Sequence, residues 1–279
     1  MIRLAIFAAL AGLSLAACTQ APGQRADADA PRRIVSLDYC ADQYVLKFAD
    51  RGDILALSPD AEKSFSYMRA EAAGIRTVRP RTADVLALQP DLVVRTYGGG
   101  HDIANFLEKP GVPVIQIGFP QTLDEVRSEV LRVGTALGKP EKAEGLVAEM
   151  DSRLRAISAR KHPRRSALYM TPAGVTTGEG TLVHELFVAA GVDNFQGRPG
   201  WKPLPLERLA YEKPDLIAAS FFEGGTNHVD NWSAARHPVA QAQLRDLPVV
   251  PLEGAWTACG GWFLVDAVEA LAAAAEDPS

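Results

Sequence analysis

The stretch Leu86-Ala87-Leu88-Gln89-Pro90-Asp91-Leu92-Val93-Val94 is echoed at Leu209-Ala210-Tyr211-Glu212-Lys213-Pro214-Asp215-Leu216-Ile217. In both copies an apolar helix end is stopped by Pro-Asp, and a short strand of buried type follows. Each strand runs on to an aromatic residue and then glycines: Tyr97-Gly98-Gly99-Gly100 in one, Phe221-Phe222-Glu223-Gly224-Gly225 in the other. A repeat of this kind predicts two similar lobes. In open α/β sheets the loops after strand C-terminal ends hold ligands, so the two glycine-bearing loops are expected to face each other as a clamp.

The N-terminus carries Arg3, an apolar run from Leu4 to Ala17, and the small-residue site Leu15-Ala16-Ala17-Cys18. The run is short for a membrane span, and its flanks suit an export signal. Leu-Ala-Ala-Cys resembles the lipobox of bacterial lipoproteins, which makes Cys18 the expected lipidation site; the alternative is an ordinary secretory signal cut nearby. Residues from Thr19 to Pro31 read as a flexible tether.

A hydrophobic fraction of 47% supports well-filled cores. A net charge of −5, without dense runs of Lys or Arg, argues against a nucleic-acid surface, and no nucleic-acid partner is expected. Cys40 and Cys259 lie far apart in the chain, and spacing leaves open whether they form a disulfide or stay unpaired.

Strands are expected at Ile34–Leu37, Ile54–Leu57, Leu92–Val94, Val114–Ile117, Ala167–Met170, Leu216–Ala218 and Val249–Leu252. Helices are expected at Ala41–Ala49, Thr82–Gln89, Thr181–Ala190 and Trp262–Ala275, and their alternation with strands indicates parallel sheets. Thr122 with Glu125 forms a capping box for a helix closed by Gly138. Between the echoed units, residues from Glu141 to about Ala159 place Ala143, Leu146, Val147, Met150, Leu154 and Ile157 on one face. At about 1.5 Å per residue this helix spans roughly 30 Å. It is either a strut between two lobes or a surface helix of one continuous domain.

With these features together, the chain resembles the cobalamin and ferric-siderophore substrate-binding proteins of bacterial ABC importers, the class III binding proteins. The resemblance covers Arg33 to the last helix. It rests on Val85 to Val94, the Gly191–Asn194 turn, and Leu206-Glu207-Arg208-Leu209 ahead of Lys213-Pro214-Asp215. It implies an α/β fold of two small lobes with mostly parallel sheets joined by one long rigid helix. The implied organisation is a lipoprotein signal peptide over 1–17, a lipidated Cys and tether over 18–31, an N-terminal lobe over 32–139, the interlobe helix over 140–161, and a C-terminal lobe over 162–279. It also implies a periplasmic protein, anchored to a membrane by lipid on Cys18, that has no enzymatic activity and no cofactor and hands its ligand to an ABC permease. Each family lobe shows a carboxylate that pairs with permease arginines. Glu207 sits at that spacing in the second lobe; in the first the spacing falls on Ala83, and neighbouring Asp84 is the substitute.

Ligand contacts are expected from Asp38, Tyr39, Cys40, Tyr97, Gly98, Gly99, Phe119, Phe221, Trp232 and Trp256 at strand ends and loops, with Tyr67 on a first-lobe rim. Broad rings lie well against a corrin, porphyrin or siderophore shell. Family members that bind cobalamin carry a tryptophan where Tyr97 stands and another aligned with Trp256. Glycines at 98–100 allow close backbone approach, and Arg69 or Arg95 are candidates to meet an anionic chelate. His101 and His228 are the weak metal-ligand candidates, since both follow glycine loops, but no His-Glu-x-x-His or Cys-x-x-Cys spacing occurs. Two rival readings remain: a haem or metal-ion carrier of the same transport class, and a metal-dependent hydrolase using His101, Asp102, His228 and Asp230.

Overall fold

Each Pro-Asp unit ends a short helix and opens an interior strand of a four-stranded sheet in the computed structural model, which describes residues 33–160, 163–220 and 233–276. The first lobe runs β1 (Ile34–Ser36), α1 (Tyr39–Phe48), β2 (Ile54–Ala56), α2 (Arg69–Ala72), α3 (Thr82–Leu86), β3 (Leu92–Arg95), α4 (Ile103–Glu108), β4 (Val114–Gln116) and α5 (Leu123–Ala136). After α6 (Pro140–Ser158) the second lobe runs β5 (Ser166–Met170), β6 (Val175–Thr177), α7 (Leu182–Ala189), β7 (Asp193–Asn194), β8 (Trp201–Pro203), α8 (Leu206–Leu209) and β9 (Leu216–Ala219). It closes with α9 (Pro238–Asp246), β10 (Val249–Pro251), α10 (Gly254–Thr257) and α11 (Leu264–Glu276).

Both sheets are parallel, in the orders β2-β1-β3-β4 and β7-β5-β9-β10. Counted within each lobe this is one topology, with the first strand inside, flanked by the second and third. The echoed aspartates explain why Pro-Asp recurs. Asp91 accepts at Oδ2 from the Arg33 N–H at 3.0 Å, while its own N–H donates to the Arg33 carbonyl at 2.9 Å. Asp215 does the same with Ser166, at 2.6 and 2.9 Å. In each lobe the carboxylate thus locks the third strand to the start of the first. Donation from Ser166 holds the Asp215 carboxyl below its usual range.

Several element boundaries differ from expectation for local reasons. The helix expected to reach Gln89 stops at Leu86, because the residue before a proline is disfavoured in the α region, and Gln89 leaves with φ 52°. Glu125 donates its backbone N–H to Thr122 Oγ1 as a capping box requires, but its carboxylate accepts from the Gln121 N–H one residue earlier. The final helix starts at Leu264, since Trp262 and Phe263 occupy a turn. An antiparallel ribbon, β6 with β8, was not anticipated.

The linking helix α6 has 19 residues, about 28 Å of length. It buries Ala143, Leu146, Met150 and Ile157, and Arg153 on its flank binds Asp266 and Glu269 of α11 at 2.6 and 2.7 Å. One apolar core runs through both lobes, taking in Tyr44, Phe48 and Val130 on one side and Phe187, Phe263 and Leu271 on the other. Smaller clusters fill the outer face of each sheet. Trp262 of the second lobe is planted against Tyr44 and Phe48 of the first, with ring centroids 5.6 and 6.3 Å away. The lobes are therefore fused along their backs by packing as well as joined by the helix. No described helix is long and apolar enough to cross a membrane.

Candidate functional site

The C-terminal ends of β1 and β3 set the first wall of the cleft, and one buried carboxylate organises it. Asp38, 3% exposed, caps α1 by accepting from the Ala41 N–H at 3.0 Å. Its other oxygen accepts from the N–H groups of Thr96, Tyr97 and Gly98 at 2.7, 3.0 and 2.8 Å. Four amides converge on one carboxylate, so its capacity goes to the protein's own backbone. Gly98 lies on the end of β1, where a Cβ would collide with the Leu37 carbonyl. Neither Gly98 nor Gly99 is among the cavity-lining residues; they serve the turn that presents Tyr97.

Between the lobes lies a cavity of about 310 Å³. Tyr39, Tyr97 and Phe119 line it from the first lobe, and Tyr169, Trp201 and the start of α7 from the second. Tyr97, Phe119 and Trp201 are 43%, 66% and 55% exposed, which for large rings marks surface left uncovered by the protein itself. Tyr39 stands edge-on to Tyr97, with ring centroids 6.0 Å apart. Burial, with Tyr39 and Asp38 adding to it, pushes the Tyr97 hydroxyl far above the usual phenol range; burial likewise raises Tyr39. Both are phenols, not phenolates, at neutral pH. Trp201 is carried in by β8 and meets Tyr169 edge-on at 6.0 Å.

Cys40 at the start of α1 and Cys259 after α10 form a disulfide that closes the cavity floor. The pairing that spacing left open is thereby resolved, across 219 residues. The neighbouring Phe119 loop is held from α5: Glu129 accepts from the Gly118 N–H at 2.7 Å. Burial pushes the Glu129 carboxyl up, but Arg132 and the Gly118 N–H outweigh it and hold it below its usual range.

Other expected contacts fall elsewhere. Tyr67 stacks on Phe263 at 4.7 Å; burial and then Asp266 push its hydroxyl up to about 12. It packs the back of the interlobe seam and is absent from the cavity lining. Trp256, on α10, is partly buried against the common core, while its neighbours Thr257 and Ala258 turn to the cavity. Arg69 binds the Ser64 and Ser66 carbonyls, and Arg95 is buried away from the cavity lining. The His101 side chain is 97% exposed and pairs with Asp102 at 3.1 Å. Among the described residues no group of three His, Cys, Asp or Glu could hold a metal ion. Cys18, Phe221, His228 and Trp232 lie outside the described residues. Asp84 and Glu207 are both exposed, in the first turns of α3 and α8, the matching helices of the two lobes.

Tyr169, Trp201 and the start of α7 are lining residues that sequence reasoning did not assign to the ligand. Tyr169 sits near the end of the second lobe's first strand, so the repeat could have flagged it. For Trp201 the only signal was a tryptophan outside an expected element, because its ribbon pairs segments separated by α7.

The periplasmic binding protein family model matches residues 54–242. YvrC of Bacillus subtilis (strain 168), an uncharacterized ABC transporter substrate-binding lipoprotein, is 24% identical over 204 residues, covering 68% of this chain; the chain spans 64% of that relative's length. Among solved structures, the periplasmic heme-binding protein RhuT from Roseiflexus sp. RS-1, in apo form, superposes with a TM-score of 0.67 at 22% identity, over 88% of this chain and 99% of that one. The periplasmic vitamin B12 binding protein BtuF of Vibrio cholerae gives 0.63 at 18%, over 89% and 98%. At these identities the likeness establishes the two-lobed fold.

Proposed function

The chain belongs to the periplasmic binding protein family, and from that premise we propose that it is the substrate-binding lipoprotein of an ABC importer. It captures a bulky metal chelate, cobalamin or a ferric siderophore, in the interlobe cleft and delivers it to the permease. The observation that carries this reading is the convergence of rings from both lobes on one cavity: Tyr97, Phe119 and Trp201, left uncovered by the protein, with buried Tyr169 edge-on to Trp201. Flat rings gain from covering a large, weakly polar surface, roughly 2 kcal/mol for each ring buried. A volume of about 310 Å³ is at the small end for ligand sites, so a chelate is gripped between the lobes along one edge, not enclosed. With α6 and Trp262 packed into both lobes, binding needs only small motions of the walls.

Asp84 and Glu207 are the proposed permease-docking carboxylates, supported by their exposure at matching places in the repeat. Lipid on Cys18 would hold the protein on the periplasmic side of a membrane. A second reading, haem carriage, is favoured by Tyr39 and Tyr97, two phenols in the cavity lining that offer oxygen donors there.

Titration with cyanocobalamin, several ferric siderophores and haemin, followed by tryptophan quenching, decides between them. Saturation by cobalamin or one siderophore at submicromolar concentration supports the leading reading. A haemin Soret band shifted by the protein and lost in Tyr97→Phe moves the assignment to haem. Silence from every chelate sinks both.

A further inference from the structure

Three contacts between the lobes converge on a single turn at the cavity floor. Cys259 is bonded to Cys40. The Tyr44 hydroxyl, one turn along α1, donates to the Gly260 carbonyl at 2.9 Å. Gly260 lies so close to Pro120 that a Cβ would collide with the proline ring. In each pair one partner belongs to the first lobe and the other to the turn before α11. The chain then enters Trp262, buried against Tyr44 and Phe48. Cys40 and Cys259 are each 8% exposed and both line the cavity, so the cavity is the route by which a solute reaches their sulfurs.

We propose that the Cys40–Cys259 cystine is a redox-sensitive pin of the ligand site. A small dithiol entering the empty cavity attacks one cystine sulfur, and its second thiol resolves the mixed disulfide. The protein S–S bond breaks and the dithiol's S–S bond forms; two electrons and two protons pass to the protein, leaving two thiols. Trp262 packed on Phe48, and the Arg153 ion pairs between the linking helix and α11, keep the lobes together behind the break, so the fold survives while the 257–261 turn and the start of α1 loosen. A chelate seated on the floor covers the cystine and shields it, and loss of the pin speeds the ligand's escape. This last point rests on the function proposed above; the access of the cystine and its local effect do not.

The test has two arms. In the first, the ligand-free protein is reduced with dithiothreitol, thiols are counted over time, and hydrogen exchange is compared before and after. Reduction faster than global unfolding, with exchange rising in 39–45 and 257–261 and little elsewhere, supports the pin; reduction only at the unfolding rate, or unchanged exchange, overturns it. In the second, cyanocobalamin and haemin are the probes. Whichever binds should slow reduction about tenfold at saturation and should dissociate about tenfold faster from a Cys40→Ser, Cys259→Ser protein. A bound probe that leaves the reduction rate unchanged refutes the shielding. If neither probe binds, cobalamin and haem are excluded as the ligand, and the first arm still decides the pin.

Discussion

The two lobes share a sheet topology but not a rim. Each builds the same strand order and each uses a Pro-Asp carboxylate to lock the third strand onto the first. At the cleft they part. The first lobe turns directly from β1 into α1 and presents Tyr97 on a loop clamped by Asp38, a carboxylate buried among four amides. The second inserts the β6–β8 ribbon after β5 and presents Trp201 from a strand. A sheet must satisfy every backbone group along its length, so its staples recur; a rim needs only to hold one ring in place, and unlike solutions serve.

The sharpest way to break this comparison is at Asp38, for which the second lobe has no equivalent among its described residues. Asp38→Ala orphans four amides and should cost about 3–5 kcal/mol in urea unfolding. A loss under about 1 kcal/mol would show that the 96–98 loop holds itself.

Next in size is Asp42, buried in α1 and bonded to Ser58 at 2.5 Å. Burial pushes its pKa from 3.8 up to about 6, despite opposing bonds from Ser36 and Ser58. The folded state holds this proton more tightly than the unfolded one, so the contribution is complete below about pH 4 and is lost as pH rises through about 6. Thermal melts should show the wild type losing roughly 1–3 kcal/mol relative to Asp42→Asn between those limits. Parallel pH profiles for the two proteins would refute the assignment.

The shared staple is tested by Asp91→Ala and Asp215→Ala. Each should cost about 1–2 kcal/mol, and the double variant should show their sum, because the two staples belong to separate sheets. Clearly unequal losses would mean that the repeat is topological without being energetic. The smallest effect expected is at the rims: Tyr97→Ala and Trp201→Ala should each weaken binding of the identified chelate about tenfold while leaving the melting temperature nearly unchanged. If only one of them matters, the ligand sits on one lobe and the cleft is not a clamp.

Much of this architecture is written in local signals. Pro90 and Pro214 stop helices wherever they occur, Thr122 caps α5 through an N–H three residues away, and the apolar runs at 92–94 and 216–218 suit strands covered on both faces. Tyr39, Tyr97 and Phe119 reach the cavity because they follow strand ends, a rule readable in one dimension. Trp256 also follows a strand end and Tyr67 lies on a first-lobe rim, yet neighbours distant in the chain, the common core and Phe263, settle where they lie.

The sequence by itself determined the repeated Pro-Asp units, the amphipathic helix between them and the strand-end loops, because each depends on residues within a turn or two of one another. Only the tertiary structure decided that Cys40 meets Cys259 across 219 residues, that Trp262 seals one lobe onto the other, and that a ribbon swings Trp201 into the cleft. Those contacts form when both lobes have folded and docked, and no local propensity encodes the distance between them.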